Sequence, residues 1–264
     1  MSRPLNVFLT GASSGIGAAL AREYAARGAT LGLVARRAAL LNELVATLPG
    51  RHFVYAADVT DKDALIAAAR DFERDAGAAD IVIANAGISV GVLTEHYEDL
   101  EAFKQVFDTN VLAMAHTFHP FIAPMRARGR GTLVGIASVA GIRGLPGSEA
   151  YCASKAATIS YCESLRVELR RFGVRVVTIA PGFVRTPLTA KNPYAMPFLM
   201  QADAFARAAA DRIGAGASYA VIPWQMGLVA KLLRLLPNWA FDRLMGNRPY
   251  KPRKQAAAGG EPPA

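Results

Sequence analysis

The chain has 264 residues, of which 52% are hydrophobic and 19% are charged. This size and apolar content fit one folded domain with a substantial core, and no stretch has the roughly 20 uninterrupted apolar residues of a membrane-spanning helix. The net charge of +9 comes mainly from residues 225–254, which contain seven basic residues and one acidic residue. Because the rest of the chain has no basic stripe with interleaved aromatic residues, we predict that the protein does not bind nucleic acid.

Two further features predict a cytoplasmic location. Met1 leads directly into a strand pattern at Val7, without the charged and apolar regions of a signal peptide. Cys152 and Cys162 fall on one predicted helix, about 15 Å apart, which is too far for a disulfide. A reducing compartment fits this use of cysteine.

Short apolar segments alternate with longer helical patterns along the chain. The predicted strands are Asn6–Leu9, Thr30–Val34, His52–Tyr55, Ile81–Ala84, Thr132–Ala137 and Val174–Ile179. The clearest predicted helix is Tyr151–Arg171, which Gly173 ends. This alternation is typical of βαβ units, and the nearly continuous apolar character of the strands indicates that helices cover them. We therefore predict an α/β fold with a single doubly wound, Rossmann-like parallel sheet and helices on both faces.

A glycine-rich loop follows the first strand. It reads Thr10-Gly11-Ala12-Ser13-Ser14-Gly15-Ile16-Gly17. Glycines allow the backbone to approach a pyrophosphate, whose charge then lies at the positive end of the next helix. Glycines also serve ordinary turns, but the order of strand, loop and helix favours dinucleotide binding.

The loop spacing, together with Asn85-Ala86-Gly87 after the fourth strand, resembles the short-chain dehydrogenase/reductase family. The resemblance covers roughly Leu5 to Thr189. It implies an oxidoreductase that moves a hydride between a nicotinamide cofactor and a carbonyl or secondary alcohol. The family's usual Asn-Asn-Ala-Gly begins here with Ala84, which removes one possible side-chain contact.

The end of the second strand predicts which cofactor is used. Relatives that use NAD place an acidic residue there, whereas this chain has Arg36 and Arg37. Arginine pairs with the 2′-phosphate of NADP through charge-assisted hydrogen bonds worth roughly 1.5–3 kcal/mol each. We predict a preference for NADP(H) over NAD(H), with Arg36 ahead of Arg37; the alternative is a solvated charge at a helix start.

The resemblance also implies the other cofactor contacts, with Asp58 and Val59 at the adenine and residues 181–186 at the nicotinamide carboxamide. The full predicted set is Gly11, Ser13, Ser14, Gly15, Ile16, Gly17, Arg36, Asp58, Val59, Asn85, Ala86, Gly87, Tyr151, Lys155, Pro181, Gly182, Val184 and Thr186.

Four residues form the predicted catalytic set. Tyr151 and Lys155 lie one turn apart on one helix face, and Ser138 ends the fifth predicted strand. Asn110 matches the fourth member of the family's set. In this interpretation Tyr151 exchanges the proton, Ser138 orients the substrate oxygen, and Lys155 lowers the pKa of Tyr151 by about three units.

Asn110 has two interpretations. By resemblance it holds a water that relays protons toward Lys155; alternatively, its side chain caps a kinked helix. We predict no metal site, since His116 and His119 lack a third ligand.

A second Tyr-x3-Lys match serves as an internal control. Tyr250 and Lys254 have Pro252 between them and Asn238 at the upstream position where a hydroxyl would be needed. That copy predicts no catalytic site.

The segment between Thr186 and Arg212 indicates what kind of substrate the protein binds. The predicted lid between Thr186 and Arg212 favours an apolar substrate, unless its side chains simply pack on the core. The lid's apolar residues are Tyr194, Met196, Phe198, Leu199 and Met200.

Alternatives to a carbonyl reductase are a non-catalytic NADP(H)-binding regulatory or interaction protein and an enoyl reductase or dehydratase.

We predict a catalytic domain over residues 1–222, a basic amphipathic extension over residues 223–254 packed on the same domain, and a disordered tail over residues 255–264. The family resemblance implies a homodimer or homotetramer formed through the helices that contain Asn110 and Tyr151.

The extension has a wide apolar face bracketed by Trp224 and Trp239. Its apolar positions are Met226, Leu228, Val229, Leu232, Leu235 and Leu236, and its narrow polar strip is Gly227, Lys231, Arg234 and Asn238. One interpretation is a helix packed over the substrate pocket or a second subunit. The other is an interfacial helix on an anionic membrane.

Overall fold

The structure, a computed structural model, describes residues 4–190, 192–247 and 249–253. The first half contains β1 (Asn6–Thr10), α1 (Gly15–Ala26), β2 (Thr30–Ala35), α2 (Ala38–Ala46), β3 (His52–Ala56), α3 (Lys62–Ala76), β4 (Ile81–Ala84), α4 (Asp99–Phe107) and α5 (Ala113–Arg128). The second half contains β5 (Gly131–Ile136), α6 (Glu149–Arg170), β6 (Val174–Pro181), β7 (Val184–Arg185), β8 (Met200–Gln201), α7 (Ala202–Gly214), β9 (Tyr219–Ile222), α8 (Trp224–Leu235) and α9 (Asn238–Met245). Lys254 and the predicted tail lie outside the described residues.

The central sheet has seven parallel strands in the order β3-β2-β1-β4-β5-β6-β9. The predicted doubly wound fold is confirmed, and all six predicted strands are present. The direction of strand addition reverses between β1 and β4, and ligands bind at such a switch point, outside the carboxyl ends of the strands. The seventh strand, β9, was not predicted from the sequence; its apolar run is only four residues long and is mostly half-exposed.

Helices cover both faces of the sheet because the side chains of β1 alternate between two cores. Val7 and Leu9 belong to a core with α1 and α7, whereas Phe8 belongs to a core with α3, α5 and α6. The Phe8 ring lies 5.6 Å from that of Phe72 and 5.0 Å from that of Phe121, measured between centroids. This burial holds the loop after β1 on a rigid base.

Helix α8 packs differently from the predicted amphipathic helix. The prediction that Gly227 lies on the polar strip is wrong, because Gly227 is buried and a Cβ there would lie 3.2 Å from Val221 Cβ. The buried face of α8 consists of Met226, Gly227 and Ala230. The small residues Gly227 and Ala230 let the helix lie close to β9. Leu228, Leu232 and Leu235, predicted for the apolar face, are exposed instead. No helix within the described ranges is long and apolar enough to cross a membrane.

Candidate active site

A cleft of about 810 Å³ opens at the carboxyl edge of the sheet, beside the switch point. All of the predicted cofactor residues line it: Gly11, Ser13, Ser14, Gly15, Ile16, Gly17, Arg36, Asp58, Val59, Asn85, Ala86, Gly87, Tyr151, Lys155, Pro181, Gly182, Val184 and Thr186. Ser138 lines it too, whereas Asn110 lies behind the wall. Residues far apart in the chain therefore meet in one cavity.

The glycine-rich loop has no room for side chains. Gly11 and Gly15 have φ values of 68° and 55°, which favour glycine. A Cβ on Gly17 would lie 2.1 Å from the Gly11 carbonyl oxygen. The loop therefore forms a cradle of bare backbone at the start of α1, which fits the pyrophosphate of a dinucleotide.

Asn85 and Thr10 hold the cradle against the end of β4. Asn85 Nδ2 donates to the carbonyl oxygens of Thr10 and Gly11 at 3.0 and 3.2 Å. Thr10 Oγ1 accepts hydrogen bonds from the backbone N–H groups of Asn85 and Ala86 at 3.2 and 3.3 Å. The Thr10 side chain is a site contribution that the predicted set omitted, although the residue belongs to the quoted loop motif.

Arg36 and Arg37 take different positions in the cleft. Arg37 Nη2 donates to Ser13 Oγ at 3.2 Å, above the glycine-rich loop. Arg36 Nη1 lies 3.7 Å from Asp58 Oδ2, on the wall formed by the ends of β2 and β3. Burial raises the pKa of Asp58, but hydrogen bonds from Thr60 and the charge of Arg36 outweigh it and hold that pKa below its usual value. Two exposed guanidinium groups thus flank one end of the cleft.

Tyr151, Ser138 and Lys155 meet where β5 ends. Tyr151 as a residue is half-buried, and its phenol lies deep in the cleft. Ser138 caps the short turn at Val139–Gly141, accepting from the Ala140 N–H at 3.1 Å. Lys155 Nζ donates to the Ile136 carbonyl oxygen at 2.8 Å and lies 5.8 Å from the centroid of the Tyr151 ring.

The expected lowering of the Tyr151 pKa is not found. Burial raises the pKa of Tyr151 to about 12, against a smaller lowering by hydrogen bonding with Ser138. Burial also lowers the pKa of Lys155 to about 8. The physical reason is that both groups lose water while the ammonium is directed at the Ile136 carbonyl. A phenol with a pKa raised in this way is protonated at neutral pH.

Asn110 lies on a π-helical turn, Asp108–Leu112, between α4 and α5. Its Oδ1 accepts from the Ile88 N–H at 2.8 Å, and its Nδ2 donates to the Ile88 carbonyl oxygen at 3.0 Å and to Ser154 Oγ at 2.9 Å. The side chain is fully engaged in joining the loop after β4 to α6. This geometry favours the interpretation of Asn110 as a structural residue at a helix irregularity.

The segment after β6 forms the far wall of the cleft. Thr189 Oγ1 donates to the Val184 carbonyl oxygen at 2.6 Å and fixes the turn there. Tyr194 packs on Phe183, with centroids 6.3 Å apart, and lies close enough to act on the pKa of Tyr151. Of the predicted lid residues, Met200 packs against the core, and Phe198 is exposed.

Several lining residues lay outside the predicted sets, and three of them follow predicted motifs closely. Ile88, Val90 and Leu188 add apolar surface to the cleft, which the polar residues Gln105, Asp108 and Thr109 also line. Ile88 and Val90 directly follow the Asn-Ala-Gly motif, and Leu188 follows Thr186, so proximity to known motifs is the signal that could have identified them.

Comparison with known proteins identifies the family of this chain. A profile of the short chain dehydrogenase family matches residues 5–196. An uncharacterised oxidoreductase of Myxococcus xanthus is 40% identical over 243 residues, which are 89% of this chain and 93% of that protein. A sulfoacetaldehyde reductase of Chromohalobacter salexigens is 36% identical over 69% of this chain and 74% of its own length.

A solved structure agrees over nearly the whole fold. The short-chain dehydrogenase from Sphingobium yanoikuyae in complex with NADPH is 27% identical, with a TM-score of 0.77, over 93% of this chain and 96% of that one. The bare-backbone cradle and the Ser, Tyr and Lys side chains all lie within the range that the family profile covers. The chain therefore belongs to the short-chain dehydrogenase/reductase family, whose members are oxidoreductases that bind a nicotinamide cofactor.

Proposed function

We propose that this protein is an NADP(H)-dependent oxidoreductase that transfers a hydride between nicotinamide and a carbonyl or secondary alcohol, with Tyr151 as acid/base. The observation that carries the proposal is the Tyr151 phenol, which lies deep in the cleft beside Ser138 and Lys155 at the carboxyl end of β5. The Ser138 and Tyr151 hydroxyls face the same cavity, so one can hold a substrate oxygen by a hydrogen bond while the other protonates it.

The bound cofactor supplies the hydride. Ser138 donates a hydrogen bond to the substrate oxygen and orients it toward Tyr151. Tyr151 gives its proton to the oxygen during carbonyl reduction. Because burial raises the pKa of Tyr151 to about 12, the phenol carries its proton at neutral pH, as proton donation to a carbonyl oxygen requires.

Two observations support the preference for NADP(H). No carboxylate stands at the end of β2, where one would bind the ribose hydroxyls of NAD. Arg36 and Arg37 flank that end of the cleft, with their guanidinium groups accessible. A 2′-phosphate placed between them would gain charge-assisted hydrogen bonds.

The proposed substrate has an apolar body. Ile88, Val90 and Leu188 line the cleft, and Tyr194 lies close enough to act on the pKa of Tyr151. The related sulfoacetaldehyde reductase acts on a small aldehyde, which is compatible with carbonyl reduction here.

The decisive experiment compares Tyr151→Phe with the unmodified protein on a panel of aldehydes and ketones. The variant should keep its affinity for NADPH while losing about a thousandfold or more in kcat, because the proton donor is gone. Activity within a few-fold of the parent would contradict the mechanism. NADPH binding without turnover of any carbonyl or alcohol by the parent would favour the regulatory alternative.

We also propose peripheral contact with anionic membranes through α8. Trp224, Leu228, Leu232 and Leu235 are exposed on one side of this helix, and the basic Lys231 is exposed beside them. Apolar burial with nearby positive charge is typical of interfacial helices. Salt-sensitive cosedimentation with anionic vesicles, reduced by Leu228→Asn with Leu232→Asn, is expected; failure to cosediment at low ionic strength would refute it.

A homodimer or homotetramer is the further proposed assembly. Leu112 and Val167 are exposed on the outer faces of the helical segments around Asn110 and Tyr151. Sedimentation should give a multiple of 28.0 kDa, and Val167→Arg should shift it toward the monomer. A cytoplasmic location remains a prediction.

A further inference from the structure

The last described residues pack against the loop after β4, next to the cleft. We call residues 249–253 the C-terminal strap. The Gly91 N–H donates to the Pro252 carbonyl oxygen at 3.2 Å, and Gly91 forms a parallel bridge with Arg253. Val92 forms a second bridge with Ser148, at the start of α6. The strap, the loop after β4 and the start of α6 therefore lie side by side.

The strap is closely fitted to this surface. A Cβ on Gly91 would lie 2.0 Å from the Lys251 carbonyl oxygen, and one on Gly147 would lie 2.8 Å from Tyr250 Cβ. Arg253 Nε donates to Asp99 Oδ2 at 2.7 Å, and the Asp99 side chain is 2% exposed. Glycines and a buried carboxylate thus position the strap from both sides.

The fit places the Lys251 ammonium at the rim of the cleft. Its Nζ donates to Ser89 Oγ at 3.0 Å and contacts the Leu188 carbonyl oxygen at 3.4 Å. Leu188 lines the cleft, and Ser89 lies between the lining residues Ile88 and Val90. Lys251 therefore bridges the two loops that face each other across the substrate end.

Within the described part of the chain, Lys251 differs from its neighbour Arg253 in having no counter-charge. Among residues 4–190, 192–247 and 249–253, no carboxylate oxygen lies within 4.0 Å of the Lys251 ammonium. Burial lowers its pKa, because the ammonium loses hydration that no anion replaces. Because both hydrogen-bond partners of Lys251 are neutral, an anion that reached its ammonium would gain a charge-assisted hydrogen bond.

We infer that Lys251 binds an anionic group, such as a carboxylate, on the substrate, at the end of the molecule remote from the reacting carbonyl. The substrate class is then a carbonyl compound with an apolar body and an anionic end. This inference rests on the proposed function for the chemistry at Tyr151, but the anion site itself is defined by Lys251, Ser89 and the Leu188 carbonyl.

A different role for Lys251 makes a different prediction. If the lysine only ties the two loops together, its removal affects charged and neutral substrates alike. If it binds an anion, its removal affects the charged member of a matched pair. The useful measurement is therefore the ratio of kcat/KM for an acid to kcat/KM for its ester.

The matched pair is 4-formylbenzoate and methyl 4-formylbenzoate, reduced with NADPH. A charge-assisted hydrogen bond corresponds to roughly tenfold to a hundredfold in binding, so Lys251→Met should lower the acid-to-ester ratio by about that factor. Lys251→Arg should restore most of it. An unchanged ratio in Lys251→Met overturns the inference.

Two further variants separate the local effect from general charge. Lys231→Met removes the same charge from the exposed surface of α8 and should leave the ratio unaltered. Gly91→Ala forces the strap away from the loop while keeping Lys251, and should lower the ratio as Lys251→Met does. An equal fall in Lys231→Met overturns the inference.

A binding measurement keeps the test independent of turnover. By titration calorimetry on the NADPH-loaded protein, 4-methoxybenzoate should bind more tightly than 4-methoxybenzamide, and Lys251→Met should abolish the difference. Lys251-dependent binding without any turnover contradicts the proposed function and supports the anion site. Turnover without preference for the acid, or equal binding of the two probes, overturns the anion site and leaves the oxidoreductase function standing.

Discussion

The cofactor end of the cleft is built mainly from backbone, whereas its substrate end is built from side chains of segments far apart in the chain. At the cofactor end, Gly11 and Gly17 approach each other so closely that a Cβ would overlap a carbonyl oxygen. At the substrate end, Leu188, Ser89 and Lys251 meet although up to 162 residues separate them.

This difference indicates which parts of the cleft tolerate amino-acid substitutions. A cradle of backbone cannot accept a side chain without moving, so it constrains residue type at each position. A wall made of side chains from loops and a terminal segment can exchange residues while the fold persists. We therefore expect substitutions at the cofactor end to be severe and those at the substrate end to alter selectivity.

Gly17→Ala should have the largest effect on cofactor binding. The added methyl group would lie 2.1 Å from the Gly11 carbonyl oxygen, and that neighbour is backbone. We expect NADPH affinity to fall at least about a hundredfold, or roughly 2.7 kcal/mol. Titration of NADPH fluorescence measures it.

Gly214→Ala is the matched control, since a Cβ there meets no atom within 4 Å and the residue has no positive φ. NADPH affinity in Gly17→Ala equal to that of Gly214→Ala would show that the cradle is less rigid than its geometry indicates.

Asn110→Ala should have the next largest effect. The side chain is 1% exposed and makes three hydrogen bonds that join Ile88 to Ser154. Its loss leaves the Ile88 backbone groups unpaired, which should cost about 2–3 kcal/mol in the free energy of unfolding. Urea denaturation measures this quantity. A stable variant with impaired proton transfer would favour the water-relay interpretation instead.

Arg36→Ala and Arg37→Ala compare the contributions of the two arginines to NADPH binding at the cofactor end. Each should weaken NADPH binding by roughly tenfold, or about 1.4 kcal/mol, while NADH binding changes little, because only NADPH carries the 2′-phosphate. Arg36 is expected to matter more. Equal dissociation constants for NADPH and NADH in the unmodified protein would refute the preference, and a larger effect of Arg37→Ala would reverse the order.

Lys155→Met should change how the free energy of unfolding depends on pH. Burial lowers the pKa of Lys155 to about 8 in the folded protein, against about 10.4 when unfolded. Between these values the unfolded chain binds a proton that the folded chain lacks, so the free energy of unfolding rises with pH. Without cofactor, the unmodified protein should gain on the order of 1–2 kcal/mol relative to the variant from pH 8 to 10. Parallel pH profiles would contradict this.

The fold and most of the lining residues could be predicted because their signals are local. Strand patterns of four to eight residues, the loop glycines and the pair Tyr151 and Lys155 depend on spacing over a few residues. Strand β9 and the buried position of Gly227 could not be predicted, since both depend on what the C-terminal part of the chain packs against. The same holds for the direction of the Lys155 ammonium toward Ile136.

The sequence by itself determined the fold class, the cradle for a dinucleotide, the pairing of Tyr151 with Lys155 and the absence of an acidic residue at the end of β2. The tertiary structure alone decided that the pKa of Tyr151 is raised, that the Asn110 amide is engaged by Ile88 and Ser154, and that the strap brings Lys251 to the rim of the cleft. The physical reason is that spacing along a helix or turn sets local geometry. Burial and contacts between distant segments set desolvation and charge, and no short stretch of sequence contains them.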